Sequence, residues 1–190
     1  MSIKGTRTEE NLLKAFAGES QARNRYTFYA SIAKKEGYEQ IAALFLETAE
    51  NEREHAKVFY KHLEGGEAEI VASYPAGGLG TTAENLFHAA EGELMEWGTL
   101  YPDFADVAEA EGFLAVAESF REIAKVEAFH EARYRTLQAK VEAGAVFAGA
   151  QDTKWHCRNC GYVYEGSEAP ELCPSCAHAR KHFEILAENY

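Results

Sequence analysis

The chain has 190 residues, of which 46% are apolar, and a formal net charge of −12 at pH 7. Such a length holds one domain, or one domain and a small module, and no apolar run is long enough to span a bilayer. The acidic surplus argues against nucleic acid as a partner, because phosphate binding calls for a basic surface.

The opening MSIKGTRTEENLLK has neither an apolar stretch nor a cleavage site, so no export signal is expected and the cytoplasm is the expected location. From Thr8 to about Glu64 the apolar spacing is helical, with Leu12, Leu13 and Phe16, then Tyr26, Phe28 and Tyr29, on a buried stripe. Gly37 in KKEGYEQ interrupts the pattern, and Ile41, Leu44, Phe45, Ala49 and Phe59 resume it. GGEAEIVASYPAGGLG is glycine-rich, contains Pro75 and predicts an irregular link. TTAENLF restarts a helix, with Thr81 or Thr82 as N-cap and Glu84 placed to reciprocate. Pro102 predicts a kink in this third segment, or an end and a restart. A break at Gly112 follows, and a fourth segment runs to about Ala143. The acidic residues are nearly all glutamate, with aspartate only at Asp103, Asp106 and Asp152, a choice that long helices favour.

Four long helices in two hairpins describe a four-helix bundle. The link of about 15 residues spans about 45–50 Å when extended, enough for one crossover along a helix. Small residues at 146–153 predict a linker between a bundle at 1–145 and a compact module at 154–190. That module is too short for a sizeable apolar core and has to lean on a metal.

The two hairpins are alike. KKEGYEQIA at Lys34 and EAEGFLAVA at Glu109 align at an offset of 75 residues, which also matches Tyr26 with Tyr101 and Phe45 with Phe120. The same offset pairs Glu52 with Glu127 and His55 with His130, so that ExxH occurs in both ENEREH and VEAFHE. In a chain this rich in glutamate one ExxH is a weak motif; its duplication gives it weight. Each hairpin also has a glutamate on its first helix: Glu19 lies 33 residues before Glu52, and Glu93 lies 34 before Glu127. Residues i and i+3 share a helix face, so each Glu–His pair can converge on one cation. One Glu from each of two helices, with ExxH from each of the other two, is the di-iron carboxylate constellation of ferritin-like bundles. Burying that much negative charge without cations would be strongly unfavourable. The competing reading is an exposed Glu–His pair on each helix. Glu96, three residues beyond Glu93, is either a further ligand or surface charge, and spacing leaves both open; Glu91 reads as surface. Tyr26 and Tyr101 read as core aromatics whose hydroxyls find a polar partner, which a site carboxylate would satisfy. His62, His88, His156, His178 and His182 fit no ligand pattern.

WHCRNCGYVYEG and PELCPSCAHARKHFE set Cys157, Cys160, Cys173 and Cys176 as two CxxC knuckles with twelve residues between them. Four thiolates bind zinc or a single iron, and spacing does not choose. Gly161 lets the backbone fold toward the sulfurs, while Trp155, Tyr162, Tyr164 and Phe183 are expected to cover the metal, which favours iron slightly.

Together, Glu19, ENEREH, EGELMEW and VEAFHE, followed by the two knuckles, resemble the rubrerythrin family over essentially the whole chain. The resemblance implies an all-α ferritin-like bundle plus a small β-rich rubredoxin-like module. It implies a di-iron site on Glu19, Glu52, Glu93, Glu96, Glu127 and His130, with His55 as an alternative ligand, and one iron on the four cysteines. CPSCA departs from the CPxCG of free rubredoxins. The implied activity is reduction of hydrogen peroxide to water for oxidative-stress protection, with electrons from a rubredoxin or an NAD(P)H-dependent reductase. Glu96 and His55 would exchange at one iron on redox change, a head-to-tail homodimer is implied, and Glu96, His55, Tyr26 and Tyr101 are the candidates for a chemical role. The alternatives are a ferroxidase for iron handling, and a structural zinc ribbon on a helical scaffold.

Overall fold

The computed structural model describes residues 2–189; Met1 and Tyr190, the outer limits of the two expected domains, lie outside the described residues. Helices come first: α1 Arg7–Lys35, α2 Glu39–Lys61, α3 Thr82–Met95, α4 Tyr101–Ala110 and α5 Leu114–Glu142. A π-helical turn, Glu96–Leu100, joins α3 to α4 into one rod, so the bundle has four members. α1 packs along α2 and the α3–α4 rod along α5, while residues 62–81 cross irregularly between the hairpins. Among the described residues no helix is long and apolar enough to cross a membrane.

The duplication extends to the helix ends. Gly37 (φ 89°) and Gly112 (φ 86°) take the left-handed conformation that ends α1 and α4, where a Cβ would be strained. Beyond them Tyr38 N donates to Ala33 O and Phe113 N to Ala108 O, both at 2.8 Å. The glutamate before each glycine reaches across to the other hairpin: Glu36 accepts from Thr82 N at 2.9 Å, and Glu111 accepts from Thr8 N at 2.9 Å. Each turn therefore places a carboxylate at the positive end of the other hairpin's first helix. Thr81 and Glu84 close the expected capping box.

On every helix of the bundle the apolar positions fall into two layers. Tyr26, Tyr29, Phe45, Leu86 and Tyr134 belong to one, and Leu12, Phe59, Tyr101 and Phe120 to the other. Between them in sequence lie Glu19, Glu52, Glu93, Glu127 and His130, each at most 1% exposed. A polar slab thus crosses an otherwise apolar bundle.

The π turn settles a mismatch in the repeat. Ahead of it the halves match at an offset of 74, as in Thr8/Thr82, Leu12/Leu86, Ala15/Ala89 and Glu19/Glu93. After it they match at 75, as in Tyr26/Tyr101, Ala30/Ala105 and Ala33/Ala108. One extra residue is taken up where Tyr101 N–H bonds to Glu96 O, five residues back. Pro102 stands in the first turn of α4, and the interruption lies ahead of it rather than at it.

The module is an antiparallel sheet of β1 Lys154–Cys157, β2 Val163–Glu165 and β3 Phe183–Ile185 in the order β2-β1-β3. Trp155, Ala169 and Phe183 pack with Cys157 and Cys173, and Trp155 Nε1 donates to Gly166 O at 2.8 Å. Phe147 joins this cluster, and Ala169 N bonds to its carbonyl at 2.9 Å, so part of the expected linker is held by the module. Tyr164, expected over the metal, lies outside the cluster and is 37% exposed, because β2 turns its side chains outward. The module rests on the hairpin end of the bundle through stacked Tyr38 and Phe147 rings and a 3.1 Å Lys181–Glu39 ion pair.

Candidate metal centres

In the polar slab α1 supplies Glu19, α2 Glu52 and His55, α3 Glu93, and α5 Glu127 and His130. Two sets of donor atoms come within 4.8 Å of one another: Glu19, Glu52, His55 and Glu127, and Glu52, Glu93, Glu127 and His130. Glu52 and Glu127 belong to both, and their oxygens are divided between them. Glu52 Oε2 lies 2.9 Å from His55 Nδ1 while Oε1 lies 3.4 Å from His130 Nδ1. Glu127 Oε1 lies 2.8 Å from His55 Nδ1 and Oε2 lies 2.8 Å from His130 Nδ1. Two shared carboxylates with one terminal Glu and one His on each side suit two adjacent cations.

The tyrosines cross the repeat. Tyr26 Oη donates to Glu93 at 2.6 Å, and Tyr101 Oη donates to Glu19. Each hydroxyl thus occupies one oxygen of the other hairpin's glutamate and leaves its partner oxygen turned to the slab. Glu19 Oε2, Glu93 Oε2, Glu52 Oε1 and both Glu127 oxygens are buried with no aligned donor among the described residues. Orphan acceptors at this density are costly unless cations complete them, so the residues fit a metal pair.

Electrostatics agree. In the metal-free protein, burial and then Glu127 push the Glu19 carboxyl well above its ordinary range, and burial and then Glu52 do so for Glu93. Burial works against the cationic form of His130, yet hydrogen bonds to Glu127 and Glu52 carry it up to about 9. His55 rises too, its burial outweighed by Glu127, Glu19 and Glu52. Glu127 goes the other way: burial opposes ionisation, but both imidazoles hold its carboxylate below the usual range. Protons on these groups offset the same buried negative charge that cations would.

Glu96, at the start of the π turn, is partly exposed and lies outside both donor sets, whereas His55 lies inside one. Burial, then Glu19 and Glu127, raise its carboxyl, so it looks onto the slab without joining it. It also lines a cavity of about 490 Å³ shared by α1, the π turn, Tyr101 and residues 71–75 of the crossover. Glu91 is on the surface, paired with Arg135.

Three neighbours were not legible as site residues. Asn51 Oδ1 lies 3.2 Å from His130 Nε2, and its repeat mate is Val126, so the duplication carried no signal for it. Tyr134 is fully buried, its hydroxyl pushed up by burial and by Glu93, and its mate is Phe59. Arg25 lines the cavity with Glu96.

The four cysteines form a third set. Cys157 and Cys176 sulfurs lie 3.9 Å apart, and Cys160 and Cys173 3.7 Å. Four thiolates about 2.3 Å from one ion would lie about 3.8 Å apart, so the set fits a tetrahedral metal. The backbone N–H of His178 lowers the Cys176 thiol to about 6, and burial and neighbouring thiols raise Cys160 to about 11 against the Tyr162 N–H. Gly161 (φ 80°) and Ala177 (φ 56°) hold the same left-handed position after each knuckle. Among the five remaining histidines, none joins a donor set.

Residues 10–138 match the family model described as rubrerythrin, and residues 155–184 match that of the rubrerythrin rubredoxin-like domain. A rubrerythrin of Porphyromonas gingivalis is 62% identical over 100% of this chain and 94% of its own length. One from Nitratidesulfovibrio vulgaris is 53% identical over 100% of this chain and 99% of its own. The solved mixed-valence state of nigerythrin superposes with a TM-score of 0.63 at 31% identity, over 97% of this chain and 92% of that one. The ferritin-like bundle is thereby shown, and both expected cofactors, a carboxylate-bridged pair of irons and one iron on four thiolates, fit the matched domains and the donor sets. The chain belongs to the rubrerythrin family of iron-containing redox proteins.

Proposed function

We propose that the protein reduces hydrogen peroxide to two waters, consuming two electrons and two protons, and that electrons enter at the four-cysteine module from a rubredoxin or an NAD(P)H-linked reductase. The observation that carries this is the division of the Glu52 and Glu127 oxygens between the two histidines, which suits a two-metal site capable of two-electron chemistry. A one-electron module on the same chain supports a catalyst that is refilled, rather than an iron store. When bound, the iron pair supplies the two electrons and offsets charge developing on the peroxide oxygens.

The chain's own groups do the rest. Glu19 and His55 would hold one cation, and Glu93 and His130 the other, with Glu52 and Glu127 between. Tyr101 and Tyr26 fix which oxygen of Glu19 and Glu93 faces inward. Glu96, on the cavity wall beside the donor sets, is placed to give a proton to a departing oxygen. His55 and Glu96 would alternate as ligands of one position, His55 in the reduced state and Glu96 in the oxidised state.

The Lys181–Glu39 pair sets the module at the start of α2, 13 residues before Glu52. That is about 20 Å along the helix. Such a separation supports delivery from the module of a second copy, in a head-to-tail homodimer.

The test is an anaerobic titration of reduced, iron-loaded protein with hydrogen peroxide, alongside Fe(II) oxidation. The reading expects one peroxide consumed per two electrons, and loss of reductase-driven turnover in Cys160→Ser. Fe(II) oxidation outpacing peroxide turnover would select the ferroxidase instead. Zinc in place of iron after iron-replete expression would select the structural ribbon.

A further inference from the structure

The cavity beside Glu96 is far larger than hydrogen peroxide requires. Its volume of about 490 Å³ lies within the range of sites for organic ligands, whereas one water's share of liquid volume is about 30 Å³. Its inner end is polar and one residue away from the donor sets, since it touches Glu96 and also Tyr101, whose hydroxyl bonds to Glu19. Its outer walls are apolar, from Val71, Pro75, Met95, Leu100 and Phe104. Val71 and Met95 are 76% and 61% exposed.

Two details make it a built site. Tyr74 Oη donates to Lys14 O at 2.7 Å, which fastens residues 71–75 across α1 as the outer wall. Beneath it α1 carries Gly18, where a Cβ would meet the Tyr74 ring at 3.6 Å and Glu96 Oε1 at 3.8 Å. A glycine within a helix is disfavoured on its own account. Here it leaves the passage between ring and carboxylate open.

We propose that this cavity takes the apolar tail of organic hydroperoxides, so that the protein also reduces ROOH to ROH and water. The inference rests on the peroxide-reductase reading. The O–O bond breaks, two electrons come from the reduced metal centre, and two protons complete the alcohol and the water. The terminal –OOH would lie toward Glu96 and Tyr101, with the tail between Val71, Met95 and Phe104. Hydrogen peroxide gains nothing from such walls, whereas each methylene group buried there is worth roughly a fourfold gain in affinity.

The test uses full-length protein and two readouts. In iron-loaded protein, kcat/KM is measured for cumene hydroperoxide and for hydrogen peroxide. In zinc-loaded protein, which cannot turn over, binding of cumyl alcohol is followed by chemical-shift changes at the Met95 and Ala15 methyl groups. The proposal expects turnover of both peroxides, saturable alcohol binding at those methyls, and a cumene-to-hydrogen-peroxide ratio of kcat/KM lowered at least tenfold in Leu100→Trp or Val71→Trp. The two variants approach the cavity from different elements, so one that fails to fold leaves the other. Hydrogen peroxide reduced while cumene hydroperoxide is not, with no alcohol bound, would overturn this inference alone. A ratio unmoved in both folded variants would do the same. Failure to reduce either peroxide would remove the reading of the function itself.

Discussion

Removing the Tyr101 hydroxyl tests the site without disturbing its packing. Tyr101 is 1% exposed, and Phe at this position keeps the ring contacts with Phe59 at 5.5 Å and Phe120 at 5.7 Å between centroids. What Tyr101→Phe deletes is the donor to Glu19, whose other oxygen already lacks an aligned partner among the described residues. A buried acceptor left without its donor costs about 1–3 kcal/mol. For a protein of this size each kcal/mol moves Tm by about 2–4 °C, so a cost of about 2 kcal/mol lowers it by about 4–8 °C. The loss is expected in metal-free protein, followed by far-UV circular dichroism on heating. It should shrink once metal is loaded, because a cation then serves Glu19 directly. Tyr26→Phe, which strips Glu93 instead, should behave alike. A metal-free Tyr101→Phe protein melting within about 1 °C of wild type would refute the reasoning, as would an equal loss with and without metal.

Metal-free protein should also lose stability as pH rises. Glu19, Glu93 and Glu96 carry raised pKa values, so the folded state retains protons the unfolded chain has released, and their contribution fades above the ordinary carboxylate range. His130 adds to the same trend, its contribution present below 6.5 and lost as pH rises through about 9; within the slab Glu127 opposes it, at acid pH, and outside the slab the lowered Cys176 thiol opposes it as pH rises through about 6. Melting at pH 6 and pH 9 checks this, and a metal-free protein more stable at pH 9 would contradict it. Ala177→Gly should stabilise the cysteine module: the left-handed φ of 56° costs a Cβ-bearing residue about 1–2 kcal/mol, offset by about 0.4–1 kcal/mol of extra freedom in the unfolded chain. A higher temperature for loss of the iron–thiolate absorbance is the expected outcome, and a lower one would show that the strain is not felt.

The slab was legible in the sequence because duplication wrote it twice. Glu52/Glu127 and His55/His130 fall at one offset, and a ligand set that recurs on matching helix faces is hard to mistake for surface charge. Tyr26 and Tyr101 were legible as buried and not as cross-linked, because periodicity places a residue on a face without saying which helix faces it. Asn51 and Tyr134 have apolar mates in the other half, so nothing repeated to mark them. The reach of Glu36 and Glu111 from one hairpin to the other's helix start escaped for a related reason: local capping rules look three residues along the chain, not 46 or 103. The cavity escaped because its outer wall, residues 71–75, comes from a crossover that carries no periodic signal.

The extra residue in the π turn has a consequence for how the two halves have diverged. Without it the backbones of the two hairpins would keep one offset along their whole length, from Thr8/Thr82 to His55/His130. The bulge swells one helix where its counterpart on α1 runs straight, and Glu96 begins that swelling. One position is therefore closed in by regular helix, and the other borders a loosened coil with a spare acid at hand. One residue of difference between the halves thus makes them unequal, and the inequality falls beside the cavity that Glu96 lines.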